Sequence, residues 1–360
     1  MHDIKLVNEV EQALFDALSK RGRVNILIAG KTGVGKSTLI NAIFQGQLAT
    51  TGQGRPVTQN TREITKADIP ISIFDTRGLE AAAFEETLDA LEKLITLRRK
   101  NPDPQHHIHV AWVCIAEDLR RVEEAESRLV TMLARYIPVI GVITKARADQ
   151  GFRAIVQELL PDARNVVRVR SIPEELDDGY MLKPMGLQQL VDVTMEVVPE
   201  SQQNAFTAAQ KVDMELKKRR SHLVVGSAAT ASAAAGATPI PFADAAIIVP
   251  IQVGMLAQIT AIFGVPLTKG FLTTLIASVI TGSGATMAGR TIAAGLLKLV
   301  PGAGTAAGAT ISATTAMAVT TAFGETYIFT LSKLFDETRG EPPSDEEIIK
   351  RFRDELRGRQ

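Results

Sequence analysis

The sequence predicts an α/β domain, with a mostly parallel six-stranded sheet and helices on both faces, followed by an all-α hydrophobic domain. Two observations carry this. Over the first 220 residues, short β-branched apolar runs alternate with amphipathic, charged stretches, as strands alternate with helices in a parallel sheet. From Ser221 to Phe335 the only formally charged residues are Asp244, Lys269, Arg290, Lys298, Glu325 and Lys333, and Ala, Gly, Thr and Ile dominate.

The elements follow in order. Residues 1–22 read as an amphipathic helix, and Asp3, Lys5, Glu9 and Glu11 interrupt any apolar stretch that would make a secretory signal. Residues 23–200 form the α/β domain. Its strands are expected at Val24 to Ala29, Glu63 to Asp68, Ile69 to Asp75, Ile108 to Ile115, Val139 to Thr144 and Asn165 to Val169, mostly the short apolar runs of buried strands. Helical patterns lie between them at Ser37 to Phe44, Leu79 to Arg99, Val122 to Tyr136, Phe152 to Leu160 and Met185 to Val198. Residues 201–335 are the Ala/Gly-rich helical domain, and 336–360 a charged tail. There Ser344 and Glu347 form a capping box ahead of Ile348, Ile349, Phe352 and Leu356.

Charge narrows the partners. Forty Lys and Arg against forty Asp and Glu leave no global basic field, so nucleic acid is not an expected partner. The single cysteine, Cys114, lies inside an apolar run and reads as a small buried hydrophobe in a reducing compartment. His106, His107 and His109 have no Cys or carboxylate at ligand spacing and read as a polar strand edge.

The chemistry sits after the first strand. Gly30, Lys31, Thr32, Gly33, Val34, Gly35, Lys36 and Ser37 match G-x-x-x-x-G-K-[ST], followed by Thr38 and a helix. Glycines let the backbone wrap close to phosphate oxygens, so successive N–H groups and the helix N-terminus donate to an anion. Lys36 is placed to bridge the β- and γ-phosphates, and Ser37 to ligate Mg²⁺. The strand ending in Asp75, Thr76, Arg77 and Gly78 adds a carboxylate for Mg²⁺ and an N–H at Gly78 for the γ-phosphate. Between the two motifs, Thr58 is expected to reach the metal and the γ-phosphate, with Thr61 close behind.

Together these motifs, with Thr144-Lys145 after an apolar strand, make residues 24–198 resemble the Era-like branch of small P-loop GTPases. The resemblance implies GTP and GDP as ligands, Mg²⁺ as cofactor, and GTP hydrolysis with Lys36 and Thr58 in catalytic positions. It places Lys145 along the guanine base, Thr144 as support for that loop, and Ser171 in the last base-binding loop. The acid that such proteins carry three residues after the threonine is here Arg147, and the nearest acid, Asp149, is the expected substitute. Leu79 stands where Ras-like enzymes carry a water-orienting Gln, which implies slow intrinsic hydrolysis. Gly33 stands where potassium-activated relatives carry Asn. The loop resembles those of septin-, GIMAP- and immunity-related GTPases, many of which pair through their nucleotide faces. That implies a homodimer through this face, with Arg77 and Arg120 as candidate trans-acting cations.

The apolar half has two readings. Its uncharged runs at 221–243, 245–268, 270–289 and 299–324 are near or beyond the ~20 residues that cross a bilayer. Lys217, Lys218, Arg219 and Arg220 stand where a cytoplasmic positive flank belongs. Membrane insertion or tight association, at the cytoplasmic side of the inner membrane, is one reading. A soluble cytoplasmic bundle is the other, supported by Pro239, Pro241, Pro250, Pro266 and Pro301 and by Gln252 and Gln258. The segment from Thr238 to Asp244 resembles the hydrophobic C-terminal domain of unknown function that accompanies some bacterial Era-like GTPases. The expected function is a GTP-binding switch at a membrane face. The alternatives are a non-hydrolysing membrane scaffold and a soluble ATP-using P-loop enzyme.

Overall fold

In the computed structural model, which describes residues 2–58, 60–76, 84–236, 243–282 and 313–358, the chain divides into two compact units. One is Gly22–Asp213; the other joins Met1–Arg21 to Met214–Gln360.

The first unit is built on strands β1 (Val24–Ala29), β2 (Gln53–Pro56), β3 (Thr61–Thr65), β4 (Ile71–Thr76), β5 (Val110–Ala116), β6 (Val139–Thr144) and β7 (Asn165–Arg168). They lie in the order β2-β3-β4-β1-β5-β6-β7. From β4 to β7 all neighbours are parallel, while β3 runs antiparallel to β4 and β2 antiparallel to β3. Each expected run supplies a strand, and the sheet gains a seventh. That strand, β2, has the sequence Gln-Gly-Arg-Pro, is exposed at every residue, and exists through its pairing of Gln53 with Thr65 and Pro56 with Arg62.

Strands β1, β4, β5 and β6 are buried at every residue because helices cover both faces. Alternation sorts their side chains: Ile26 and Ile28 enter one core layer, Leu27 and Ala29 the other. The first layer packs under the helices Lys36–Ile43, Leu187–Val197 and Glu200–Ala209. In it Trp112 stacks on Phe44 with ring centroids 5.8 Å apart and donates from Nε1 to Thr194 Oγ1 at 3.2 Å. The second layer packs under Phe84–Arg99, Glu124–Ala134 and Phe152–Leu159.

The second unit is helical: His2–Arg21, Met214–Gly236, Ala243–Phe263, Lys269–Gly282, Ala313–Glu337 and Asp345–Gly358 are its described helices. Both chain ends feed one core, since Val10 and Ala17 pack in the same cluster as Phe263, Tyr327, Phe335 and Phe352. Gly324 lets two helices approach closely, because a Cβ there would meet Val225 Cγ2 at 2.5 Å. Several polar groups pair within the bundle: Gln252 Nε2 donates to Thr320 Oγ1 (3.2 Å), Thr320 Oγ1 to Ser232 Oγ (3.0 Å), and Thr260 and Tyr327 share a 2.8 Å hydrogen bond, while Gln252 Oε1 and Ser221 Oγ are buried without a hydrogen-bond partner. Among the described residues no helix is long and apolar enough to cross a membrane. The runs at 221–243 and 245–268 lie mostly on the helices Met214–Gly236 and Ala243–Phe263, with 237–242 outside the described residues. Most of the segment 238–244, and parts of the runs at 270–289 and 299–324, lie outside the described residues.

Candidate functional site

At the carboxyl end of β1 the chain leaves the sheet through Gly30, which has φ 150° and sits so close to β5 that a Cβ would meet the Cys114 carbonyl oxygen at 2.6 Å. Gly33 (φ 79°) and Gly35 (φ 97°) also take positive φ, conformations that side chains rarely adopt. The loop therefore turns back over the strand end and opens the helix Lys36–Ile43 at Gly35. Lys36 Nζ donates to the carbonyls of Gly30 (2.6 Å) and Lys31 (3.0 Å), so its ammonium lies across the loop. Val34 is buried beneath, whereas Thr32, Gly33, Ser37 and Thr38 are exposed on the open side. Lys31 pairs with Glu123, and that hydrogen bond holds the Glu123 carboxyl below the usual range.

Sheet register brings the other motif residues to the same end. Asp75 pairs with Ile28, two residues before Gly30. Thr61 pairs with Thr76 across β3 and β4, and their hydroxyls lie 3.3 Å apart in a shared hydrogen bond. The hairpin turn containing Thr58 follows beyond that pair, and the N–H groups of Val57 and Thr58 both donate to the Thr61 carbonyl. Asp75 is buried; its Oδ2 accepts from Arg62 Nε at 3.3 Å, while Oδ1 is buried without a hydrogen-bond partner, as is Thr58 Oγ1. An unmet buried oxygen costs ~1–3 kcal/mol. Two such oxygens beside a phosphate-type loop fit a hydrated divalent cation, with Ser37 on the first turn of the following helix as the third donor. Arg77, Gly78 and Leu79 lie outside the described residues.

A cavity of about 350 Å³ extends sideways from the loop. Gly33, Gly35, Thr38, Thr144, Lys145 and Ser171, all expected from the sequence, line it. So do Asp118, Arg147, Arg170, Ile172, Pro173 and Glu174. Thr144 Oγ1 donates to the Val34 carbonyl (2.6 Å) and lies 3.2 Å from that of Ile115, tying the phosphate-type loop to the ends of β5 and β6. Lys145 holds a left-handed backbone (φ 52°) and its Nζ reaches Asp118 Oδ2 at 3.3 Å.

Asp149 does not line the cavity. Its Oδ1 accepts the Arg153 N–H at 2.9 Å in the first turn of the helix Phe152–Leu159 and lies 3.4 Å from Arg168 Nε. The sequence reading missed Glu117, which organises this loop. It is buried, accepts the N–H groups of Arg147 and Ala148 on Oε2, and takes Arg168 Nε on Oε1 at 2.7 Å. Its signal was an acid placed directly after the apolar run of β5. Arg147 in turn donates from Nε to Glu174 Oε1 at 2.9 Å. That bond keeps the Glu174 carboxyl below its ordinary range.

The histidines lie at the opposite, amino end of the sheet, tied into the loop before β5. His109 Nδ1 accepts the Asn25 N–H (2.9 Å), which leaves Nε2 to donate to the Pro104 carbonyl (3.0 Å), and His107 Nε2 meets the Asn101 carbonyl. Cys114 is buried, and burial pushes its thiol up to about 12.

Residues 25–145 match the family model described as 50S ribosome-binding GTPase, and residues 200–357 match a domain of unknown function, DUF697. Among curated proteins, cell division control protein 10 of Saccharomyces cerevisiae is 26% identical over 183 residues, covering 42% of this chain and 56% of that protein. The tRNA modification GTPase MnmE of Cupriavidus pinatubonensis is 29% identical over 150 residues, covering 39% of this chain and 30% of that protein. Magnetosome membrane protein 22 of Magnetospirillum gryphiswaldense is 32% identical over 98 residues, covering 27% and 50%. The chain thus spans just over half the length, or less, of these relatives. The first unit is an α/β P-loop GTPase domain on a mostly parallel sheet, and a helical region follows it.

Proposed function

We propose that this protein is a GTP-binding switch of Era-like kind that hydrolyses GTP slowly. The observation that carries the reading is one cavity of about 350 Å³ lined both by the glycines of the phosphate-type loop and by Lys145 and Ser171. The loop N–H groups and Lys36 bind the phosphates, and Ser37, Thr58 and Asp75 hold Mg²⁺, which neutralises phosphate charge when bound. Lys145 lies along the base, and Thr144 fixes the loop that carries it. With nucleotide bound, the Thr58 turn orders around the γ-phosphate, to which the Gly78 N–H is the expected further donor, and the turn relaxes after hydrolysis.

Leu79 in place of a water-orienting Gln supports slow hydrolysis by the isolated chain. Pairing of two copies through the nucleotide face is part of the proposal. It is supported by exposed apolar side chains on segments that border the cavity: Leu119, Ile172, Tyr180 and Met181 are 48%, 57%, 63% and 47% accessible. Single-turnover GTP hydrolysis followed against protein concentration tests both points. A rate per molecule that climbs with concentration is expected, and a flat rate contradicts pairing; GTP held intact throughout contradicts hydrolysis and favours a scaffold.

A second reading adds attachment at the cytoplasmic face of a membrane, supported by the similarity to a protein named for the magnetosome membrane. Co-flotation of the full chain with anionic vesicles is its expected outcome, and recovery of all protein at the bottom of the gradient contradicts it.

A further inference from the structure

We propose that Glu174 is the carboxylate that reads the guanine edge, an assignment that rests on the GTP-binding reading above. Guanine presents N1–H and the N2 amino group side by side, two donors that converge on a carboxylate. Adenine offers an unprotonated N1 at the same place, which a carboxylate repels. A pocket that prefers guanine therefore needs an acid at its far end from the phosphates.

The described chain narrows the choice. The position three residues after Thr144 holds Arg147, a cation that repels the same two donors. Asp149, the nearest acid in sequence, turns its Oδ1 to the Arg153 N–H and to Arg168 and does not line the cavity. Glu117 is buried and its oxygens are taken by the loop N–H groups and Arg168. Two acids line the cavity, Asp118 and Glu174. Asp118 puts Oδ2 3.3 Å from the ammonium of Lys145, the residue that lies along the face of the base rather than at its edge.

Glu174 opens a short hairpin, β8 (Glu174–Glu175) against β9 (Met181–Leu182), directly after Ser171, Ile172 and Pro173, which line the same cavity. Both bonds from Arg147 fall on Oε1, so Oε2 is left to the base. The arginine at the usual acid position thus carries an acid on its own guanidinium, and the pair presents a carboxylate at the cavity wall. Arg147 acts as the positioning residue for this carboxylate.

The test uses the full-length protein with Mg²⁺ and measures binding of GDP, xanthosine diphosphate and ADP to wild type, Glu174→Gln, Asp118→Asn and Asp149→Asn. Glu174→Gln is expected to lose about tenfold or more in GDP affinity, the worth of a charge-assisted hydrogen bond. It is also expected to gain xanthosine diphosphate, whose O2 acceptor faces the new amide donor. A gained ligand does not arise from misfolding. Asp149→Asn, outside the cavity, is expected to keep the wild-type order. GDP binding unchanged in Glu174→Gln, or a xanthine preference appearing in Asp118→Asn or Asp149→Asn instead, overturns the assignment. A wild-type chain that binds no guanine nucleotide overturns the GTP-binding reading itself.

Discussion

Thr144 Oγ1 lies 2.6 Å from the carbonyl oxygen of Val34, a hydrogen bond between the last residue of β6 and the middle of the phosphate-type loop. It makes the loop and the start of the Lys145 segment one piece, so phosphate and base sites hold a fixed separation. Thr144→Val keeps the volume and removes the donor. It is expected to cost the first unit ~1–2 kcal/mol in urea unfolding and to weaken nucleotide affinity several-fold. Nucleotide affinity unchanged in this variant would show that the bond does not organise the site.

The unmet oxygens at Asp75 and Thr58 lead to a prediction about magnesium. Asp75→Ala is expected to remove most of the Mg²⁺ dependence of GTP affinity while leaving EDTA-treated protein little changed. Thr58→Ala is expected to weaken GTP more than GDP, because only the triphosphate reaches the hairpin turn. Isothermal titration with and without EDTA checks both, and an Asp75→Ala chain whose affinity still rises with Mg²⁺ counts against the assignment.

His109 gives the first unit a pH dependence with a definite sign. Its Nδ1 accepts a backbone N–H, so protonation there would set two donors face to face, and burial lowers its pKa from 6.5. In the unfolded chain the ring takes a proton below 6.5 while the folded ring resists, so the unfolded state binds more protons as pH falls. Stability is fully present above that pH and is lost below it, by at most about 1.4 kcal/mol per pH unit until the folded ring also titrates. Urea unfolding across this range checks the slope, and His109→Gln should flatten it.

In the helical unit, Lys217 is fully buried and donates to the Phe263 carbonyl at 2.9 Å, where the helix Ala243–Phe263 ends. Lys217→Ala removes this donor and opens a void, and is expected to destabilise the unit by ~2–4 kcal/mol. Lys217→Met keeps most of the volume and should cost less, as a calorimetric comparison of the two would show.

What the sequence revealed follows from how locally each feature is determined. Val139–Thr144 is an apolar run buried on both faces, and its predicted and observed ends coincide. The phosphate-type loop was legible because its glycines and Lys36 are fixed by local backbone geometry. Strand β2 carries no apolar signal, since all four residues are exposed, and only its partner β3 makes it a strand. Spacing after Lys145 pointed to Asp149, but spacing does not say where a side chain turns. The helix beginning at Phe152 takes that carboxylate for its own first turn, and Glu174, far along the chain, comes to the cavity instead. The amphipathic face of His2–Arg21 was readable, whereas its partners, more than two hundred residues away, were not.

Nucleotide binding at this cavity is tested by the affinity of the full chain for GTP, GDP and ATP with Mg²⁺, in wild type and Lys36→Ala. GTP and GDP are expected to bind without competition from ATP, and Lys36→Ala to lose about ten- to a hundredfold in affinity, the worth of hydrogen bonds from a charged donor. ATP binding as tightly as GTP, or guanine nucleotide affinity unaffected by Lys36→Ala, would contradict the GTP-binding reading.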